Sequence, residues 1–188
     1  MSKKVLVVLA EGFEDMEAVA PIDILNRAGV EVTIASLVKG PTKGAYGTTI
    51  VPHKSIDEID LDFIYDGIVF PGGRVNAQAL SKHPKVMMLV HRHHSAHKMV
   101  SAICAAPSHV LGEGAKILKG KRSSGDPTFN DMLAASGAIV SGEIVTVDDN
   151  IITGMGPGAA IPFALQLVEY LVDKQTADQY AEKWLISR

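Results

Sequence analysis

Mostly apolar segments of strand length alternate with helix-like segments along almost the whole of this chain. Four of them, at 4–10, 30–37, 65–70 and 99–103, carry few polar residues and are separated by helical patterns. Strands that are apolar on both faces are typical of a parallel sheet with helices on each side. The sequence therefore predicts one α/β domain over residues 1–188, with a mostly parallel central sheet covered on both faces. Helices are predicted at 15–28, 76–81, 85–97, 129–136, 159–172 and 176–184.

The charge and the cysteine content of the chain exclude several classes of function. The formal net charge of -3 gives no basic footprint, so neither nucleic acid nor an anionic membrane is expected as a partner. The one cysteine, Cys104, excludes an intramolecular disulfide framework and a paired-cysteine metal or redox site. The first apolar run is too short for a signal sequence or a membrane span. We therefore expect a soluble, cytoplasmic protein.

Cys104 stands where a buried strand is predicted to turn sharply into a helix. Small residues stand two places on either side of it, in the order Ala102, Ile103, Cys104, Ala105, Ala106. A nucleophile elbow needs this pattern, because the turn is too tight for bulky neighbours and leaves the side chain exposed above the sheet. The start of a helix also favours a thiolate. The alternative is that Cys104 is simply a small, buried apolar residue.

A cluster of carboxylates follows the first predicted strand, at the sheet edge where Cys104 is also expected. Glu14 and Glu17 are three residues apart and share a face of the first helical turn, although acids there also commonly cap a helix. Met16 and Val19 are predicted to flank Glu17 on the buried stripe of that helix. A carboxyl in such a low-dielectric pocket has a raised pKa, and in its protonated form it is able to donate a hydrogen bond to a thiolate and to shuttle a proton.

Five motifs together resemble the ThiJ/PfpI superfamily, and most closely its DJ-1, Parkinson-associated subfamily. The motifs are spread along nearly the whole chain, in the order and spacing of the family. They are the segments Val7 to Glu17, Arg27 to Val30, Phe70 to Gly73, Ala102 to Ala105 and Gly156 to Gly158.

The resemblance implies a flavodoxin-like three-layer sandwich that forms a homodimer. It implies Cys104 as the reactive cysteine, Glu17 as the acid in contact with it, and the backbone N–H groups of Gly73 and Ala105 as an oxyanion pocket. Glu14, Gly72 and Arg27 match positions that line or flank the same pocket. Members of the family are described as glutathione-independent glyoxalases, deglycases and oxidative-stress sensors, and other branches as peptidases or chaperones.

Two positions depart from the family pattern. Members with a catalytic triad carry a histidine directly after the elbow cysteine, where this chain has Ala105, which argues against a peptidase. The DJ-1 type has a histidine on a later loop ahead of a proline, and here Asp126 precedes Pro127. An aspartate at that place either repels a thiolate, raising the pKa of Cys104, or acts as the base itself.

These observations lead us to expect a cysteine-dependent enzyme acting on a small 2-oxoaldehyde, with Cys104, Glu17 and Asp126 in catalytic roles. The alternatives are a non-catalytic sensor in which Cys104 is oxidised to a sulfinate, and a redox-regulated chaperone. No metal or organic cofactor is expected. The glycine-rich stretch 154–159 fits a dinucleotide fingerprint only weakly, since no acidic strand end follows it. The histidines in 91–97 are interpreted as a solvated helix face rather than a metal site.

Overall fold

The computed structural model describes residues 2–186, and a seven-stranded sheet forms its centre. The strand order is β10-β11-β7-β6-β1-β2-β5, in which β10 and β11 pair antiparallel and every other neighbour is parallel. The predicted parallel α/β sheet is therefore confirmed. Its strands are β1 (Lys4–Leu9), β2 (Glu31–Ser36), β5 (Lys54–Ser55), β6 (Gly67–Phe70), β7 (Met99–Ile103), β10 (Val145–Asp148) and β11 (Ile151–Gly154).

Helices cover the sheet at the places that the sequence predicts, and their ends shift by no more than two residues. The segment after β7 is a π-helix over Pro107–Gly114, a rare form that often occurs at functional sites. The α-helices are α1 (Asp15–Arg27), α2 (Arg74–Ser81), α3 (Pro84–Ser95), α4 (Asn130–Ala135), α5 (Ala160–Leu171) and α6 (Lys174–Lys183). None of the helices within residues 2–186 is both long and apolar enough to cross a membrane.

Two small sheets lie outside the central one, and the sequence does not predict them as pairs. Strands β3 (Thr42–Lys43) and β4 (Thr49–Ile50) pair antiparallel, and β8 (Arg122–Ser123) and β9 (Ile139–Val140) pair parallel. Each strand has two residues, which is too short for a periodic pattern to be recognised. Strand β8 is relevant to the predicted site because it immediately precedes the loop that carries Asp126.

Helix α1 buries a different face from the one that the sequence predicts. Met16 and Val19 are 55% and 44% exposed, so the prediction that they flank Glu17 in the core is wrong. A step of three residues drifts by about 60° around a helix, and a stripe built on that step does not stay on one side. The buried face instead follows the true helical period and consists of Glu17, Ala18, Pro21, Ile24 and Leu25.

The histidine-rich end of α3 is partly a core element rather than a solvated face. His93 is fully buried, its Nε2 accepts the Tyr65 N–H at 3.2 Å, and its Nδ1 lies 2.7 Å from the Leu89 carbonyl, to which it donates. Burial is the main cause that lowers the pKa of His93 below its ordinary value of 6.5. The ring is therefore a neutral structural connector, and the interpretation of this residue as solvated is wrong. No group of three potential metal ligands is brought together within residues 2–186.

This neutral, buried His93 predicts a loss of stability in acid. Because its pKa is lower in the folded chain, the unfolded chain takes up a proton first as the pH falls below ~6.5, and the free energy of unfolding decreases until the folded pKa is passed. We expect His93→Gln, which keeps an acceptor for Tyr65 but does not titrate, to lose less stability than the wild type between pH ~7.5 and ~5. Urea denaturation at the two pH values measures this difference.

The control is His91→Gln, which removes an exposed histidine from the same helix and should keep the wild-type pH dependence. An equal loss of stability in the wild type and in His93→Gln would contradict the assignment.

Candidate active site

The candidate site lies at the carboxyl ends of three neighbouring strands. Strand β6 pairs with β1 on one side and with β7 on the other, all in the same direction. The loop after β1 carries Glu14, the first turn of α1 carries Glu17, the loop after β6 carries Gly72 and Gly73, and Cys104 follows β7 directly. Parallel strands bring their carboxyl ends to one edge of the sheet, which is where α/β folds bind ligands.

Cys104 occupies the nucleophile elbow that the sequence predicts. Its φ of 63° lies in the left-handed region, which a non-glycine residue enters only at a cost of about 1–3 kcal/mol. Two backbone hydrogen bonds hold the turn: the Cys104 N–H donates to the Gly154 carbonyl at 2.9 Å, and the Cys104 carbonyl accepts the Asp126 N–H at 2.8 Å. The side chain is 9% exposed, so the sulfur lies at the boundary between the core and the site.

Glu17 is fully buried beside this cysteine, although not for the reason that the sequence suggests. Its Oε2 accepts the Gly72 N–H at 2.8 Å, and its carboxyl also interacts with the Cys104 thiol. Its Oε1 has no conventional hydrogen-bond partner among residues 2–186. Burial, followed by the nearby Glu14 carboxyl, raises the pKa of Glu17 to about 7. Glu17 is therefore able both to hold and to release a proton near neutral pH.

The absence of side chains at Gly72 and Gly73 lets the backbone pass close to the side chains of Glu17 and Cys104. A Cβ on Gly72 would overlap Glu17 Oε2 and lie 2.5 Å from Cys104 Cβ. Gly73 has a φ of +83°, and its Cβ would overlap the carbonyl oxygen of Gly12. Its backbone interacts with the Cys104 thiol in the direction that lowers the pKa of the thiol. The predicted donor Gly73 therefore lies beside Cys104, while the N–H of Gly72 is used by Glu17.

Substituting Gly73 by alanine should destabilise the protein more than the same change at a glycine with open surroundings. Gly29 is the matched control, because its φ of +79° is nearly the same but a Cβ there meets nothing within 4 Å. Both variants carry the backbone strain of about 1–3 kcal/mol, and only Gly73→Ala adds a steric overlap of about 1–3 kcal/mol more. Denaturant unfolding of the two variants measures the difference, and equal losses of stability would show that the loop yields without cost.

Asp126 lies beside the cysteine, as the sequence predicts. Its Oδ2 is 3.8 Å from Cys104 Sγ, and its Oδ1 accepts the Thr128 N–H at 2.9 Å. A buried hydroxyl network fixes this loop, because Thr153 Oγ1 accepts the Ser124 N–H at 2.9 Å and the Ser124 hydroxyl donates to the Thr153 carbonyl at 3.1 Å. Asp126 thus has a defined position relative to the sulfur.

The electrostatics of the site oppose a free thiolate. Burial, then the Glu17 carboxyl, and also Asp126 raise the pKa of Cys104 above the ordinary thiol value. The expectation that a helix start produces a thiolate is therefore not met, whereas the expected effect of Asp126 is in the predicted direction. In this buried site Cys104 and Glu17 are not both ionised, because two adjacent negative charges repel each other where little water is present.

Three further predicted site residues have different positions. Glu14 is buried and its Oε2 accepts the Glu17 N–H at 2.8 Å, so it caps α1 and orients Glu17. Ala105 is buried directly after Cys104, and its carbonyl accepts the His109 N–H at 3.1 Å. Arg27 ends α1, far from Glu17 of the same chain, and the prediction that it lines or flanks the pocket stays a prediction.

The length of α1 separates Arg27 from Glu17. Arg27 lies ten residues after Glu17, about 15 Å further along the helix axis. Its Nε donates to Asp23 Oδ2 at 2.8 Å, and its guanidinium lies 5.8 Å from the centroid of the Trp184 ring.

Sequence reasoning misses Asn76, a fully buried residue that supports the site. Its Oδ1 accepts the Ala10 N–H at 2.6 Å, and its amide donates to the carbonyls of Pro71 and Gly72 at 2.8 and 3.0 Å. Asn76 therefore fixes the end of β1 to the glycine turn after β6. A single asparagine in a helix carries no signal of such a role, because its partners become neighbours only in the folded sheet.

The similarity of this chain to known proteins includes every residue of the candidate site. The model of the DJ-1/PfpI family matches residues 3–170. The Parkinson disease protein 7 homolog of Danio rerio is 36% identical over 179 residues, which are 94% of each chain. A protein of Thermococcus kodakarensis named a deglycase is 30% identical over 168 residues, or 89% of this chain and 99% of the relative.

Solved structures show the same fold. The chain is similar to oxidized DJ-1 of Toxoplasma gondii, with a TM-score of 0.91, 32% identity and complete coverage of both chains. It is equally similar to DJ-1beta of Drosophila melanogaster, with a TM-score of 0.92, 32% identity and complete coverage. The flavodoxin-like sandwich implied by the sequence motifs is therefore confirmed.

Proposed function

This chain belongs to the DJ-1/PfpI family, and from that premise we propose that it is a cysteine-dependent glyoxalase or deglycase that protects against carbonyl and oxidative stress. The proposed substrates are methylglyoxal and related 2-oxoaldehydes, with no cofactor. The name of the Thermococcus relative supports the reaction class. The observation that carries the proposal is a buried carboxyl with a pKa of about 7 beside the Cys104 thiol, whose sulfur also lies 3.8 Å from Asp126 Oδ2.

The raised pKa of Cys104 defines how the first step would proceed. At neutral pH the resting group is a thiol, so the attack on the aldehyde carbon requires a nearby base. Glu17, about half ionised near pH 7, takes the thiol proton as the carbon–sulfur bond forms. The N–H groups of Gly73 and Ala105 stabilise the oxygen that becomes negative, and its protonation gives a hemithioacetal.

The remaining steps move protons and then add water. The proton on the former aldehyde carbon moves to the neighbouring carbonyl carbon through an enediol, with Glu17, assisted by Asp126, as the proton carrier. The product is a thioester of lactate on Cys104. Water cleaves the thioester, so that methylglyoxal and one water give lactate and the free thiol.

The direct test is lactate formation from methylglyoxal by the purified protein, followed by NMR. We expect lactate in excess of the protein concentration and none with heat-denatured protein. The absence of turnover with methylglyoxal, glyoxal and a methylglyoxal-modified amine would contradict the proposal.

A cysteine oxidation sensor is the second candidate, and the protonated form of Glu17 favours it. A carboxylic acid beside the sulfur would donate a hydrogen bond to a sulfinate, formed as the thiol consumes two molecules of peroxide and releases two of water. The solved Toxoplasma relative is described as oxidized. Mild peroxide should then add two oxygen atoms to Cys104 by intact mass. A folded chain that resists peroxide would exclude this function.

We also propose that the chain forms a homodimer through the outer face of α1. Met16 and Val19 are exposed there, and Ile161 of α5 and Trp184 line the same cavity of about 880 Å³. An apolar surface of this kind is typical of a protein–protein contact.

Replacing Met16 by glutamate should weaken the dimer, because it places a charge in that apolar face. Analytical ultracentrifugation over a concentration series should show a monomer that the wild type does not show. Met88→Glu changes a methionine on α3 that is 46% exposed outside the cavity, and should leave the mass unchanged. An unchanged dimer in Met16→Glu would place the interface elsewhere.

A further inference from the structure

Arg74 lies at the edge of the candidate site, in a position that the proposed mechanism does not use. It is the first residue of α2 and follows Gly73, whose backbone interacts with the Cys104 thiol. The side chain is exposed. The backbone therefore places an arginine one residue from the glycine that lies beside Cys104.

The guanidinium of Arg74 reaches across to the loop that carries Asp126. It lies 5.1 Å from the centroid of the Phe129 ring. The Phe129 N–H donates to the Asp126 carbonyl at 2.8 Å, and the ring meets His109 edge to face at 4.8 Å. Because Asp126 Oδ2 is itself 3.8 Å from the sulfur, Arg74 and Phe129 together connect the two segments that border Cys104.

The positive charge of Arg74 is not paired with a carboxylate of residues 2–186. Within residues 2–186, each of the other arginines has a carboxylate within salt-bridge distance, whereas none lies within that distance of Arg74. A guanidinium stacked on a ring keeps the N–H groups at its edge free, and these fit a carboxylate in a two-point contact. The pairs of the other arginines are Arg27–Asp23, Arg92–Asp62 and Arg122–Glu143.

The interior of the site has the opposite charge. Glu17 and Asp126 lie beside the Cys104 sulfur, Glu14 lies beside Glu17, and these carboxyls would repel an anionic group of the substrate that came close to the sulfur. A substrate whose anionic end stays at Arg74 avoids those carboxyls and presents its neutral aldehyde end to Cys104. The polarity of the site thus has a direction, cationic at the rim and acidic at the centre.

We infer that Arg74 is a specificity-determining residue that selects 2-oxoaldehydes carrying a carboxylate at the end remote from the aldehyde. This inference rests on the proposed function, since it names the substrate class of the same site. The chemistry is that of methylglyoxal: the dicarbonyl and one water give the 2-hydroxy acid, and the remote carboxylate is unchanged. Its contact with Arg74 orients the aldehyde toward the sulfur and raises kcat/KM.

The first experiment compares 4,5-dioxopentanoate with its methyl ester, which has the same reacting carbons without the charge. We expect the wild type to prefer the acid, and Arg74→Gln to lower the acid-to-ester ratio of kcat/KM by about tenfold, the loss of one charge-assisted contact. Arg74→Lys should recover part of the ratio. Arg92→Gln, which removes an equal charge from an exposed site on α3, should keep the wild-type ratio. An equal acid-to-ester ratio in the wild type and in Arg74→Gln would overturn the inference.

The second experiment separates this inference from the proposed function because it needs no turnover. Iodoacetate and iodoacetamide alkylate the same sulfur and differ in charge, so the ratio of their rates at Cys104 reports on the anion preference of the entrance. We expect Arg74→Gln to lower the iodoacetate-to-iodoacetamide ratio severalfold and Arg92→Gln to leave it unchanged. If Arg74→Gln lowers the ratio but the wild type forms no lactate, the anion preference stands and the proposed enzymatic function is contradicted. If the wild type forms lactate but Arg74→Gln leaves the ratio unchanged, the enzymatic function stands and the anion preference is contradicted.

Discussion

Replacing Cys104 by serine is expected to abolish lactate formation from methylglyoxal, with a loss on the order of 10³-fold or more. The hydroxyl of serine is a far weaker acid than a thiol, and Glu17, with a pKa of about 7, is too weak a base to activate it. Serine is nearly isosteric, so the elbow and its two backbone hydrogen bonds to Gly154 and Asp126 should remain. Lactate is measured by NMR at saturating substrate.

The controls for this variant address folding and background chemistry. The chain has one cysteine, so no second thiol is available to form the hemithioacetal. Circular dichroism and denaturant unfolding should show Cys104→Ser folded like the wild type, while heat-denatured wild type gives the non-enzymatic rate. A folded Cys104→Ser protein that retains a large fraction of the wild-type rate would remove Cys104 from the mechanism.

Local spacing is sufficient to predict the elements that make up the site. The elbow at Cys104 follows from a buried strand, flanking small residues and a helix start, and the structure confirms its strained backbone. Asp126 is predicted through the family resemblance, by its place ahead of Pro127, and it lies 3.8 Å from the sulfur. These predictions succeed because each depends on a few consecutive residues or on an ordered set of motifs.

The sequence is less informative where the outcome depends on what lies across the fold. Glu17 was predicted to be buried by Met16 and Val19, which are exposed; its burial comes instead from the approach of Gly72 and Cys104. The direction of the Cys104 pKa likewise depends on burial and on two carboxyls from distant segments, which outweigh a local helix start. Desolvation is a property of the packed structure, and a local motif does not contain it.

The position of Arg27 shows a related limit. Its place in the family pattern predicts that it lies near the pocket, and the helix carries it about 15 Å from Glu17 in the same chain. A residue can match a motif in sequence and still serve another surface, here the one formed with Asp23 and Trp184.

Replacing Glu17 by glutamine is expected to change turnover and cysteine reactivity in opposite directions. Glutamine keeps an oxygen that accepts the Gly72 N–H, but it neither takes up nor releases a proton. Turnover should therefore fall by about 10²–10⁴-fold, the usual contribution of a general base. Burial keeps the pKa of Cys104 raised, but removal of the Glu17 charge lowers it relative to the wild type, so iodoacetamide should alkylate the sulfur faster at pH ~8.

The pH dependence gives an independent measure of the same group. In the wild type kcat/KM should rise as the pH increases through about 7, because Glu17 acts as a base in its ionised form. The residual rate of Glu17→Gln should lack that rise. Glu11→Gln is the matched control, since it removes an exposed carboxylate from the loop that precedes α1 and should retain both the wild-type profile and the wild-type alkylation rate. A Glu17→Gln variant that turns over normally, or in which alkylation slows together with turnover, would show that Glu17 only supports the fold around Cys104 and does not carry the proton.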